Sequence, residues 1–114
     1  MYQDVVILSD IQIVPIPPKD GLVAFCSFKI NRSLFAGCIA IYSSPSSPDG
    51  FRLVWPSKNG MSCINPLNRE TGEMIQKEVI SRYLEVINSL LRIEERSGVK
   101  PNRLYQEAKP KAYT

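Results

Sequence analysis

Lysine and arginine side chains are the groups of this sequence whose number and placement could do chemistry, because such side chains hold phosphate groups through salt-sensitive contacts. Residues 51–114 carry eleven basic and seven acidic side chains, a net charge of +4, whereas residues 1–50 carry a net charge of −1. If the fold gathers the first basic residues of this second half on one surface, they form a phosphate-binding patch. These residues are Lys58, Arg52, Arg69, Lys77 and Arg82.

A second candidate patch follows later in the sequence. Arg92 and Arg96 precede Lys100 and Arg103, with two glutamates between them. An ordinary charged helix end is the alternative interpretation. The net charge of +3 and the pI of 8.8 also fall short of the strongly basic footprint of an obvious nucleic-acid-binding protein. Each patch is therefore a candidate that binds phosphate only if the fold brings its basic side chains close together.

Trp55 and Lys58 flank the pair Pro56-Ser57 and each has two interpretations. Trp55 could stack on a base, and Lys58 could hold a phosphate. A tryptophan among alternating strand residues is more typical of a core or an interface, and a lysine after such a pair is typical of a solvated turn.

The sequence lacks the groups that acid–base and nucleophilic catalysis usually need. It contains no histidine, no GxSxG motif and no glycine-rich phosphate loop. Its acids fall mostly on the outer face of a predicted helix, where the spacing of Glu78 and Arg82 predicts a surface ion pair. We therefore expect no enzyme, no catalytic residue and no cofactor.

Cys26, Cys38 and Cys63 lie in apolar stretches without a CxxC spacing, which predicts buried free thiols rather than disulfides or metal ligands. If a three-residue loop joins the strands around Asn31, then Cys26 and Cys38 face each other across a hairpin. A disulfide or redox switch is the alternative interpretation of such a pair, and a reducing cytoplasm favours two packed thiols.

Length and composition favour one small domain with a polar extension. The 114 residues, 44% hydrophobic and 22% charged, are typical of a globular protein, and no apolar run reaches the length of a membrane span. The first ten residues do not resemble a secretory signal, so we expect a cytoplasmic protein that does not contact membranes. Residues 1–96 are the predicted domain, and residues 97–114 are a polar, basic tail.

The elements that must position these side chains are strands followed by one helix. Alternation over residues 5–14 predicts a strand with Val5, Ile7, Ile11 and Ile13 on one face, and the prolines that follow predict a connector. Residues 21–42 predict a hairpin about Asn31, with a loop at 43–50 and a further strand at 51–55. Phe51, Leu53 and Trp55 share one face of that strand. In the hairpin the shared face is predicted to hold Leu22, Ala24, Cys26, Phe28 and Ile30.

From Asn68 onward the apolar residues repeat with a helical period. Asn68 is the predicted N-cap, and Gly98 and Pro101 are the predicted terminators. The apolar residues fill half of the helical wheel, so the helix could pack on more than the sheet, against a second chain or the tail. They are Ile75, Val79, Ile80, Tyr83, Leu84, Val86, Ile87, Leu90, Leu91 and Ile93.

Three segments in this order resemble the stage V sporulation protein G family, SpoVG, also called septation protein. They are SFKINRSLFAGCIAI, DGFRLVWPSK and INPLNRETGEMIQKEVISRYLEVI, which span most of residues 4–92. Lys58 matches the basic position of the family's proline-serine-basic ending, and Trp55 stands where the family usually has methionine. The loop at 43–50 is longer than in the family, and residues 97–114 extend beyond it.

The resemblance implies an α+β fold, a small antiparallel sheet of about four to five strands packed by one long C-terminal helix. It also implies a homodimer formed through strand pairing and a non-enzymatic regulator that binds DNA or RNA, linked to septation, sporulation or gene expression. A protein–protein interaction module in cell division or development, without nucleic-acid binding, is the alternative function.

Overall fold

Six strands precede one helix in the part of the chain that the structure, a computed structural model, describes. That part is residues 5–97, with side chains described as far as Arg92. The elements are β1 (Leu8–Lys19), β2 (Leu22–Ile30), β3 (Leu34–Ser43), β4 (Phe51–Val54), β5 (Ser57–Lys58), β6 (Met61–Ser62) and α1 (Arg69–Ser97). The first four strands form an antiparallel sheet in the order β1-β2-β3-β4, and β5 pairs with β6. The predicted α+β fold is therefore confirmed.

The proline segment that follows the first apolar stretch is part of β1, so the predicted connector was wrong. Val14 pairs with Phe25, Pro15 with Ala24, and Lys19 with Leu22 at the end of the strand. Because β1 is the outermost strand of the sheet, its prolines can lie where the backbone nitrogen faces away from β2. The absent N–H then leaves no carbonyl of β2 without a partner.

An irregularity at Asp10 changes which side of β1 faces the core. Asp10 has a φ of 52°, and the pairing with β2 shifts between Ser9 and Gln12. One extra residue moves every later side chain to the other face. As a result Leu8 packs against the core together with Ile11 and Ile13, whereas Val5 and Ile7, predicted to share their face, are exposed.

The β2–β3 hairpin turns at Asn31 and Arg32, as predicted. Both residues have positive φ, 49° and 58°, and the Ser33 N–H donates to the carbonyl of Ile30 at 2.9 Å, which closes a tight turn. The Asn31 side chain accepts a hydrogen bond from the Ile7 N–H at 2.7 Å, which fixes the residues before β1 to the turn.

The two hairpin cysteines are not opposite each other. Ile30 pairs with Leu34, so the loop has three residues, but a bulge with φ 60° at Cys38 places Ile39 opposite Cys26. Cys26 is buried as predicted, whereas Cys38 and Cys63 are exposed, so the prediction of buried thiols was wrong for these two. Burial raises the pKa of the Cys26 thiol to about 12, so this thiol stays protonated at neutral pH.

The helix begins as predicted and closes one face of the sheet. The Asn68 Oδ1 accepts the Thr71 N–H at 2.8 Å, which is an N-cap. The buried stripe is narrower than the predicted half wheel, since Leu84 is 38% exposed. Ile93, Gly98, Pro101 and the tail lie outside the described side chains. The helical core residues are Ile75, Val79, Ile80, Tyr83 and Ile87.

Most of the strand residues predicted to face the core do so. Leu22 is an exception besides Val5 and Ile7, because a register shift between Leu22 and Ala24 leaves it opposite Tyr42 on the other face. Ile30 packs against the core as predicted. Ala24, Cys26 and Phe28 are buried, and so is Phe51, whose ring meets that of Tyr83 at 5.2 Å. Trp55 packs edge to face on Phe28 at 6.1 Å, which supports its interpretation as a core residue. After it, Asn59-Gly60 forms the β5–β6 turn with φ 51° and 78°, a hairpin that the sequence analysis did not predict.

Candidate nucleic-acid interface

The helical residues of the first predicted patch lie among glutamates. Arg69 is 3.4 Å from Glu73, and Arg82 is 3.1 Å from Glu85 rather than paired with Glu78 as its spacing predicted. Lys77 lies one turn beyond Glu73. Over Arg69–Ser97 the helix carries five basic and six acidic residues, so it offers no surplus of positive charge.

The residues of the first predicted patch are divided between α1 and two strands. Lys77 lines one groove with Arg69 and a different groove with Arg82, so Arg69 and Arg82 belong to separate sites along α1. Lys58 lies exposed in the small β5–β6 sheet. Arg52 lies on the face of β4 opposite the core residues Phe51 and Leu53.

The second predicted patch is only partly described. Arg92 is exposed on α1, and the helix backbone includes Arg96, whose side chain lies outside the described ones. Lys100 and Arg103 lie beyond the described residues.

A different surface combines basic and aromatic side chains. It is the face of the four-stranded sheet turned away from α1, which we call the outer sheet face. Residues directly opposite each other on neighbouring strands share a face. Since the register pairs Lys19 with Leu22, Leu22 with Tyr42 and Tyr42 with Arg52, one row crosses all four strands. The row has a basic residue at each end.

The next rows add apolar and aromatic groups. Val14, Phe25, Ala40 and Val54 pair in succession across the sheet. A third pairing joins Lys29 to Phe35. The exposed fractions are 58% for Val14, 38% for Phe25 and 70% for Phe35, so this apolar surface is in contact with solvent in the part of the chain described.

Two of the basic side chains on the outer sheet face, Arg52 and Lys29, make contacts within the protein. The guanidinium of Arg52 lies over the Tyr42 ring, 5.0 Å from its centroid, which is a cation–π contact. Lys29 forms a 3.2 Å ion pair with Asp10. The hydrogen bond from Gln12, and then the hydrogen bond and charge of Lys29, lower the pKa of Asp10, so Asp10 stays ionised and offsets Lys29.

Gly37 determines where the Phe35 ring lies. A Cβ at position 37 would be 2.8 Å from Cε2 of Phe35, so the ring occupies the space that a side chain at 37 would fill. The ring therefore leans along β3 toward Ala40 and the middle of the outer sheet face.

The outer sheet face is not evident from the sequence pattern. LVAFCSFKI is apolar at seven of nine positions, so its alternation does not reveal that Phe25 lies on the side of Ser27 and Lys29. The signal that could have found it is the placement of Phe25 two residues before Ser27 and four before Lys29, both predicted to face away from the core.

Other kinds of site find no support among the described residues. These residues hold no group of three or more histidine, cysteine, aspartate or glutamate side chains that could bind a metal ion. No described helix has the length and apolarity needed to cross a membrane. What the outer sheet face can do chemically is stack planar groups and attract anions.

Comparison with protein-family models finds no match, and a search of curated proteins also finds none. The resemblance to SpoVG therefore rests on the three sequence segments and stays a prediction.

Proposed function

We propose that the protein is a non-enzymatic, cytoplasmic nucleic-acid-binding regulator of the SpoVG type, and that it contacts DNA or RNA through the outer sheet face. The observation that supports this proposal most is the row of Lys19, Leu22, Tyr42 and Arg52, in which two cations flank an aromatic ring. Cations contact phosphates, and rings stack on bases. The link to septation, sporulation or gene expression comes from the resemblance.

Charge balance favours the outer sheet face over the outer side of α1. A phosphate that approaches Arg69 or Arg82 also meets the glutamate paired with it. On the outer sheet face Lys29 alone has such a carboxylate, that of Asp10, among the ion pairs of the described residues. Arg52 contacts an aromatic ring instead, which leaves its charge uncancelled.

A salt titration with two matched double variants tests the proposal. Binding of labelled DNA and RNA oligonucleotides is measured by fluorescence anisotropy at increasing salt. Lys19→Ala/Arg52→Ala removes two charges from the outer sheet face and is expected to reduce the slope of log affinity against log salt by about 2. Lys58→Ala/Arg82→Ala removes two charges from the patch predicted from sequence and is expected to leave the slope nearly unchanged.

Either double variant can contradict the proposal. A larger loss in Lys58→Ala/Arg82→Ala would move the interface to the patch predicted from sequence. Absence of binding by the unmodified protein at low salt would leave the alternative function, a protein–protein interaction module.

A specific feature favours that second candidate. An apolar groove of about 350 Å³ lies between Trp55 and the start of α1, and Leu67 at its rim is 94% exposed. A partner protein could cover this groove. The second candidate predicts that Leu67→Asp abolishes binding to a partner and that the unmodified protein does not bind nucleic acid even at low salt.

The proposed homodimer formed through strand pairing would need free backbone groups at a sheet edge. At β4 the Phe51 N–H donates to Asp49 at 3.1 Å, and Gln76 donates to the Phe51 carbonyl at 2.6 Å. At β1, Pro15, Pro17 and Pro18 lack N–H donors. Both edges of the four-stranded sheet therefore offer few free backbone groups for a long ladder with a second copy. Light scattering measures the molecular mass and so distinguishes a monomer from a dimer.

A further inference from the structure

We infer that the outer sheet face binds single-stranded nucleic acid, stacking unpaired bases on Phe25, on Phe35 and on the stacked pair of Tyr42 and Arg52. This inference rests on the proposed function and adds the class of ligand and the groups that recognise it. It requires rings that are accessible, that are spaced for separate bases, and that lie among cations which can follow a phosphate backbone.

The spacing of Phe25 and Tyr42 suits two neighbouring bases. Phe25 pairs with Ala40, and Tyr42 lies two residues further along β3 on the same face. Diagonal neighbours of this kind in an antiparallel pair are roughly 7–8 Å apart. Small RNA-binding domains use aromatic side chains on the open face of a four-stranded sheet in the same way, to stack two or three bases.

Phe35 extends this arrangement on the other side of Phe25. Its backbone lies opposite Lys29, four residues from Phe25 along β2. The ring leans over Gly37, which brings it nearer to Ala40 and therefore to Phe25. Tyr42, Phe25 and Phe35 thus form a zigzag of three rings along the two central strands.

Accessibility and charge agree with an unpaired polyanion. Phe25 and Phe35 are 38% and 70% exposed. Tyr42 is only partly exposed and its ring lies under the planar guanidinium of Arg52, so a base at this position stacks on the guanidinium that the ring supports. In a duplex the bases are stacked on each other and cannot lie flat on a sheet. Side chains on this face could reach only the backbone of a duplex, so the three rings would add nothing.

A second copy of the chain is a poorer occupant of this face. Face-to-face packing of two outer sheet faces would bury Lys19 and Arg52 of both copies in one interface. Burying like charges without counter-ions opposes association. A phosphate backbone instead supplies the opposite charge.

The test compares short oligothymidylate and oligouridylate with a duplex of equal length, by fluorescence anisotropy at fixed salt. The expected result is tighter binding of the single strands. Phe25→Ala, Phe35→Ala and Tyr42→Ala are each expected to weaken single-strand binding roughly 5- to 100-fold, the effect of losing one base stack. Because no charge is removed, the salt slope stays unchanged. Leu84→Ala, at an apolar residue of α1 that is also 38% exposed, is the control.

The outcomes separate this inference from the proposed function. If single strand and duplex bind equally and the three variants keep full affinity, the inference is wrong and the proposed function stands. If neither ligand binds at low salt, both fail. If the variants change the molecular mass instead of the affinity, the outer sheet face is an interface between copies. Circular dichroism checks folding, and Phe25→Leu and Tyr42→Leu replace any alanine variant that does not fold.

Discussion

Phenylalanine occurs on both faces of the four-stranded sheet, in surroundings that differ completely. Phe28 is fully buried under α1, with Trp55 against its edge at 6.1 Å. Phe25 lies three residues earlier in the same strand and is 38% exposed on the opposite face. Because strand side chains alternate, two phenylalanines three residues apart in one strand lie on opposite faces and have unrelated roles.

The contrast separates stability from recognition. The side chains toward α1 are aliphatic or aromatic and form the core, whereas the outer sheet face mixes aromatic groups with Lys19, Lys29 and Arg52. Burial stabilises the fold, and exposed rings beside cations are free to contact a ligand. Substitutions on the core face should therefore change the free energy of unfolding, and substitutions on the outer sheet face should change the affinity for nucleic acid.

The largest expected effect is on the buried side. Phe28→Ala removes a fully buried ring and leaves a cavity, so we expect the free energy of unfolding to fall by about 3–5 kcal/mol. Phe35→Ala, at a ring that is 70% exposed, is the matched control and should change it by less than about 1 kcal/mol. Urea unfolding measures both. Equal losses would show that the outer ring is also part of the core.

A smaller effect is expected on recognition when the Phe35 ring is displaced. Gly37→Val places a side chain where that ring lies, so the ring must move and we expect single-strand affinity to fall by a factor of about 2–5, part of one base stack. Fluorescence anisotropy measures the change. In the Phe35→Ala background Gly37→Val should lower the single-strand affinity no further, because no ring is left to displace. This double-mutant cycle isolates the coupling between the two residues. An additive loss would contradict the positioning role of Gly37.

Much of the fold followed from local patterns. The 3.6-residue period and the Asn68 cap predicted α1, and the turn tendency of Asn31 located the hairpin. The proline part of β1 was missed because proline is tolerated there only through the strand's position at the sheet edge. The β5–β6 hairpin, by contrast, was not predicted although Asn59-Gly60 is a recognised hairpin-turn sequence.

The bulges and the site were harder to predict. Nothing local marks Cys38 as a bulge, and that single residue decides whether Cys26 meets a thiol or Ile39. The outer sheet face needs the register of all four strands before Lys19 and Arg52 fall in one row. Counting charges along the chain led instead to α1, where neighbouring glutamates pair with Arg69 and Arg82.

The smallest expected effect concerns the acid of the outer sheet face. Gln12 first, and then Lys29, hold the pKa of Asp10 below its ordinary value of 3.8, so the ionised form stabilises the fold above that pH. This contribution is lost as pH falls through the lowered pKa of the folded state. Asp10→Asn should therefore lose slightly less stability than the unmodified protein in acid, as measured by thermal unfolding between neutral and acidic pH.

The same variant also tests the charge argument for recognition. Asp10→Asn frees Lys29 from its 3.2 Å ion pair, so the affinity for single strands should rise slightly and the salt slope should steepen by a fraction of the value for one phosphate contact, about 0.7. Glu85→Gln frees Arg82 on α1 in the same way and is the matched control. An increase with Glu85→Gln but none with Asp10→Asn would mean that the nucleic acid lies along the helix, and the contrast between the two faces would no longer explain binding.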